Sequence, residues 1–192
     1  ILNLAAAASE QDALYVTVSS ADTPVAAVVR TITMDGLTSK GSDYAVPNNV
    51  SAKTLAINGL SEGDDVNLYV YPSQQADVTV SWTDGTGTKN TNQQTLEANR
   101  VSVIDLGSVP KSATGLTISA TEPVTAAAKV TNDGDGDQAD FALVNASVPM
   151  NVSAIAVPDH ATAQVSVTNT SDDDRTATLT SYNGDGDIVE QS

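Results

Sequence analysis

The chain has 192 residues, a length that suits one large domain or two ordinary ones. Its formal net charge of −16 excludes a basic groove for nucleic acid and disfavours an anionic membrane surface, and its lack of cysteine excludes disulfides, thiolate chemistry and zinc–cysteine sites. Aromatic residues make up only 4%, so any core must be built from Val, Ala, Leu and Ile, and the abundance of Val and Thr favours strands over helices.

In chain order, Ile1–Leu4 reads as the end of a strand, and Ala5–Ala8 suits a short helical turn that Ser9–Asp12 ends. Leu14–Val18 alternates, Asp22-Thr23-Pro24 turns, and Val25–Met34 is a nearly continuous apolar strand of the kind buried on both faces. Asp35-Gly36 punctuates, Gly41-Ser42-Asp43 falls in a polar loop, and Tyr44–Val46 is a short strand stopped by Pro47. Thr54–Ile57 is another strand, and Ser61–Asp65 is a turn. Val66, Leu68 and Val70 alternate, Pro72–Gln75 makes a hairpin connection, and Val78, Val80 and Trp82 alternate on the return until Asp84-Gly85. Thr95-Leu96 and Val101–Leu106 supply further strands. Leu116–Val130 reads as two alternating strands around a Glu122-Pro123 turn. No apolar run reaches the roughly 18–20 residues that span a bilayer. A start at Ile1 rather than Met reads as a piece of something longer.

The second half of the chain repeats the first. Val103-Ile104-Asp105-Leu106 echoes Ile1-Leu2-Asn3-Leu4, and Leu116–Val130 echoes Val16–Arg30, with Pro123 at the place of Pro24. Asp140-Phe141 matches Asp43-Tyr44, Val165 and Val167 match Leu68 and Val70, and Ala177 and Leu179 match Val78 and Val80. Asn183-Gly184-Asp185-Gly186 matches Asp84-Gly85-Thr86-Gly87. The offset stays at about 97 to 102 residues, and turn residues align as well as apolar ones, which points to duplication. About seven short strands per unit, spaced every 8–12 residues or so, predict an all-β protein of two tandem immunoglobulin-like β-sandwich units. The units divide at 1–108 and 109–192, the second lacking its final strands. The expected inward positions are Val16, Val18, Val28, Leu68, Val70 and Val80, with Leu116, Ile118, Ala127, Val165, Val167 and Leu179 as partners.

Residues suited to chemistry are few. His160, the one histidine, stands in a Pro158-Asp159-His160 turn, and no Gly-x-Ser-x-Gly elbow accompanies it. The acids gather in turns, where carboxylates are solvated rather than paired across a cleft. Calcium is the sharpest alternative. Asp133, Asp135 and Asp137, and Asp185 and Asp187, place oxygens at alternating positions of Gly-rich loops. EF-hand spacing from Asp133 requires Gly at the sixth place and Glu at the twelfth, but Gln138 and Val144 are there. The stronger reading of both loops is a Gly-Asp hairpin turn without metal.

The strings VSVIDLGSVP, LTISATEPVTAAAKV and AIAVPDHATAQVSVTNTSDDDRTATLTSYNGDGDIV, including Val167-Thr168-Asn169 and Tyr182–Gly186, resemble an uncharacterised family of actinobacterial extracytoplasmic β-domains. The resemblance is good over about 90 residues and weak in the first unit. It implies a secreted or membrane-anchored protein of the cell surface and brings no active-site residues. The expectation is therefore a non-catalytic cell-envelope protein that serves as spacer, scaffold or interaction module, with no cofactor. The alternative is a module that binds carbohydrate or an envelope protein through loops at one end of a sandwich, with Trp82 or Tyr182 as stacking residues.

Overall fold

The computed structural model describes residues 15–18, 21, 27–35, 38–45, 50–60, 65–84, 86–108, 115–132, 140–150, 167–171 and 173–191. Among these the chain is all-β. Its strands are β1 (Val29–Asp35), β2 (Thr38–Ala45), β3 (Ala52–Asn58), β4 (Asp65–Pro72), β5 (Ala76–Thr83), β6 (Lys89–Leu96), β7 (Ser102–Ser108), β8 (Gly115–Asn132), β9 (Asp140–Asn145), β10 (Thr180–Tyr182) and β11 (Ile188–Gln191).

The strand β8 is 18 residues long, and the antiparallel sheet is assembled around it. Ser119 pairs with Thr54 of β3 on one edge and Thr79 of β5 on the other. Ala127 pairs with Asn145 of β9 on one edge and Tyr69 of β4 on the other. Val124 pairs with both Ala52 of β3 and Pro72 of β4. One edge of β8 therefore carries β3 and β9, and the other carries β5 and β4 end to end. Outside these, β6 pairs β5 and β7 pairs β4. An isolated bridge from Ala56 to Ser147 ties the chain beyond β9 back to β3.

Side chains alternate across a strand, so one face of each strand can be apolar throughout. In β4, β5 and β8 the buried hydrophobic side chains sit at even-numbered positions: Val66, Leu68, Val70, Ala76, Val78, Val80, Leu116, Ile118, Val124, Ala126, Ala128 and Val130. With Leu55, Ile57, Leu96 and Ile104 they form one cluster, around which the sheet curls. Cross-strand partners differ in volume: Leu68 faces Ala128 and Val70 faces Ala126. Small residues on β8 leave room for large ones on β4, as dense packing requires.

The curl has a corner. Residues 121–123 of β8 fall between its ladder to β5, which ends at Ala120, and its ladder to β4, which begins at Val124. The register to β3 also shifts between Ala52 and Thr54. Pro123 lacks an N–H, and at this gap no ladder bond is required of it. Polar side chains take over the backbone groups that the ladders leave. The Lys53 ammonium donates to the Thr121 carbonyl at 2.5 Å and lies 3.6 Å from the Glu122 carboxylate. The Asp77 N–H donates to the Thr121 hydroxyl at 3.0 Å, and the Thr95 hydroxyl donates to the Asp77 carboxylate at 2.6 Å. Beyond β5, the Asn99 N–H donates to the Pro72 carbonyl at 2.8 Å, with Asn99 in the left-handed region at φ 59°.

Several expectations are corrected here. Glu122-Pro123 is not a turn, since β8 runs through it as one strand. Pro72–Gln75 is not a hairpin connection: β4 and β5 do not pair but follow one another along β8. Gly41-Ser42-Asp43 lies within β2, paired to β1. The Val25–Met34 run is not a strand buried on both faces, because Val28, Val29 and Ile32 are exposed. Of the expected inward positions, Leu68, Val70, Val80, Leu116 and Ile118 are buried, whereas Val16, Val18, Val28, Val167 and Leu179 are exposed and Ala127 is half-buried. Val165 lies outside the described residues. The strands on either side of residue 108, β7 and β8, belong to one sheet. Two separate immunoglobulin-like sandwiches are not shown by the described strands: β8 and β9, from the second half of the chain, pair into the same sheet as β3–β7.

Ile118 and its repeat counterpart Val18 separate these two arrangements. Ile118→Ala should lower unfolding free energy by roughly 2–5 kcal/mol through lost burial and the cavity left behind. Val18→Ala should change it by less than about 0.5 kcal/mol, as an exposed substitution does. Denaturant titration of both variants checks this, and equal losses would contradict the burial pattern.

Candidate functional site

The best-defined polar constellations are two hairpin loops of the same design. In the loop after β5, Asp84 Oδ1 accepts the N–H groups of Thr86 and Thr88, both at 3.0 Å, and the Thr86 hydroxyl at 2.7 Å. The Asp84 N–H donates to the Thr88 carbonyl, and the Gly87 N–H donates to the Asp84 carbonyl. In the loop between β10 and β11, Asn183 Oδ1 accepts the N–H groups of Asp185 and Asp187 at 3.0 and 2.9 Å. The Asn183 N–H donates to the Asp187 carbonyl, and the Gly186 N–H donates to the Asn183 carbonyl. Gly87 and Gly186 occupy the same place at φ 81° and 89°, where a side chain would strain the backbone. Asp and Asn at the first place both work, because the loop uses one side-chain oxygen as acceptor for its own backbone.

Asp84 feels this environment. The Thr86 hydroxyl, then the Thr88 and Thr86 N–H groups, and the Asn90 amide stabilise its carboxylate and hold its pKa below the ordinary value, against slight desolvation.

A third closed loop follows Val167. Asn169 Oδ1 accepts the Ser171 N–H at 3.0 Å, the Asn169 amide donates to the Asp173 carbonyl at 2.7 Å, and Arg175 donates to the Asp173 carboxylate at 3.1 Å. Just before it, the Thr168 hydroxyl donates to Asn58 Oδ1 at the end of β3. There Gly115 has no room for a Cβ, which would lie 2.8 Å from the Ile57 carbonyl.

Of the residues read as calcium ligands, Asp185 and Asp187 stand in the β10–β11 loop with exposed side chains. Asp133, Asp135 and Asp137 lie outside the described residues, as do His160 and Asp159. No group of three or more metal-ligating side chains occurs among the described residues. Of the two stacking residues, Tyr182 is 64% exposed, while Trp82 is half-buried against the core with its indole N–H buried and unpartnered. The structure adds an aromatic pair that the sequence reading missed: Tyr15 stacks on Tyr71 of β4, centroids 3.8 Å apart and planes within 4°. Tyr69 and Tyr71 fall out of phase with Val66, Leu68 and Val70, and that alternation was the available signal for an outward-facing aromatic row.

The model of a family of unknown function, DUF5719, matches residues 1–192. The chain belongs to this family. The match covers the whole chain, further than the residues that carried the resemblance. No curated protein matches. Among solved structures, a crystal structure of Thermotoga maritima 1070 is similar at 10% identity and a TM-score of 0.42, over 50% of this chain and 93% of that one. No helix long and apolar enough to cross a membrane occurs among the described residues.

Two measurements test the loops. Since Asp84 has a depressed folded-state pKa, its contribution to stability is present above the unfolded-state pKa and is lost as pH falls through the folded one. The Thr86 and Thr88 amide resonances should therefore titrate at a pH below the ordinary Asp range. Asp84→Asn should abolish that titration yet keep the loop, as Asn183 does. A Thr86 titration at the ordinary Asp pH would refute the assignment. For calcium, we expect no saturable rise in Tm; a saturable rise removed by Asp185→Ala would assign an ion to the second loop.

Proposed function

We propose that this member of the family is a non-catalytic cell-envelope protein, extracytoplasmic and secreted or membrane-anchored, of actinobacterial type. Repeated β-modules of immunoglobulin-like size serve as spacer, scaffold or interaction surface. The observation that carries this reading is how the described polar side chains are used. Asp84, Asn183 and Asn169 spend their oxygens on the N–H groups of their own loops, and Lys53, Thr121 and Asp77 hold the corner of the sheet. Such groups fix a shape rather than converge on a substrate, whereas catalysis requires a nucleophile, base and orienting group within reach of one another. The strong acidity and the Ser- and Thr-rich strands suit an exposed protein.

The second reading, a module that binds an envelope glycan or protein, is favoured by one observation: the exposed ring of Tyr182 beside the second loop. Aromatic rings presented to solvent are what interface contacts use.

A screen of the purified chain against envelope glycans and envelope proteins separates the two. The scaffold reading expects no saturable partner among glycans and no turnover in hydrolase assays. Glycan binding that falls at least about tenfold in Tyr182→Ala, or about 1.4 kcal/mol, would establish the binding module instead. Turnover abolished by His160→Ala would refute both.

A further inference from the structure

The two repeats differ in what their matching hairpins pair with. The β5–β6 hairpin is completed by β8, and Val80 of β5 lies opposite Ile118 of β8, both fully buried. The β10–β11 hairpin carries the same loop, yet among the described residues it is a two-stranded sheet with no third strand. A two-stranded hairpin alone is marginally stable in water. Leu179, the counterpart of Val80, is 52% exposed. Val18, the counterpart of Ile118, is 59% exposed, and Val16, the counterpart of Leu116, is 46% exposed. Among the described residues, the β10–β11 hairpin thus has no central strand, and Val16 and Val18 of a β8-like segment face out without a hairpin beside them. Within the chain the segment is already anchored elsewhere, since Tyr15 stacks on Tyr71 of β4 and leaves Val16 and Val18 facing out.

We infer that the β10–β11 hairpin accepts the Tyr15–Val18 segment of a second copy of this chain as an added antiparallel strand, with Leu179 opposite Val18 as Val80 is opposite Ile118. Strand addition supplies backbone hydrogen bonds, and alternate side chains set the register. The contact is heterologous, hairpin of one copy to segment of the next, so it propagates head to tail into a filament or closes into a ring. Each copy carries a net charge of −16, so repulsion opposes the contact and salt strengthens it by screening. This inference rests on the reading of the chain as a repeat scaffold and names the partner of that scaffold.

The test is mass measurement by light scattering on the whole chain, across rising protein and salt concentration. The wild type should associate, more so at high salt. Val18→Asp and Leu179→Asp should each remain monomeric with unchanged Tm, because both positions are exposed in the single chain. An equimolar mixture of the two should form heterodimers and nothing larger, since one variant keeps its hairpin and the other its segment. A wild type that stays monomeric throughout, association that survives both substitutions, or a mixture that fails to pair would overturn the inference. A monomeric wild type would leave the scaffold reading standing, because that reading falls only to turnover or to a specific glycan.

Discussion

The fold depends on one strand being satisfied along both edges. Buried backbone groups must find partners, and an 18-residue strand through the centre of a core has many to place. The strand β8 meets this requirement with four neighbours, two on each edge, and so converts four short strands into one sheet. Burial follows from pairing. Because β8 keeps its even-numbered residues inward on both sides of the corner, Leu116, Ile118, Val124 and Ala126 share one core although their ladders change partners between them.

A strand that serves two pairs of neighbours must break its ladders somewhere, and the break is where polar side chains matter. Thr121 has its carbonyl met by Lys53 and its hydroxyl by Asp77, so the corner is bridged from β3 across β8 to β5, and by Thr95 to β6. Lys53 and Glu122 are half-exposed, and their ion pair contributes little by itself. The Thr121 carbonyl and the Asp77 amide lie at exposed residues, so their bonds replace bonds to water and act chiefly to fix the geometry of the corner.

Alternation was legible in the sequence and partner choice was not. The inward faces of β4, β5 and the first half of β8 follow from Val66, Leu68, Val70, Val78, Val80, Leu116 and Ile118, whose period of two admits one register only. The hairpin loops were legible too, because Asp84-Gly85-Thr86-Gly87 and Asn183-Gly184-Asp185-Gly186 announce turns with an acceptor first and a glycine in the left-handed region last. Pro123 and Pro72 misled for a shared reason. Proline signals a turn because it cannot donate, but a strand can carry it wherever its ladder changes hands, and only long-range pairing shows where that is. The same limit hid the polar strand β6, whose Lys89–Gln94 stretch has no apolar face to mark it. It likewise hid the pairing of β8 and β9 with the strands before them, since apolar periodicity states that a face is buried and not which strand covers it.

The edges of the two hairpins then carry opposite chemistry. At the outer edge of the sheet, β6 begins Lys89-Asn90-Thr91-Asn92, a polar run of the kind that discourages further strands from adding. At the corresponding places β11 has Ile188-Val189-Glu190-Gln191, and Ile188 and Val189 are exposed to 58% and 68%. The loops preceding these strands hold the same hydrogen bonds, so the difference is not one of local geometry. It is one of what each edge faces. A charged and amide-rich edge ends a sheet, whereas an apolar edge left in water is a liability unless something covers it. The two hairpins thus share a loop and differ in their outer edges, and of the two it is β6 that carries the residues that end a sheet.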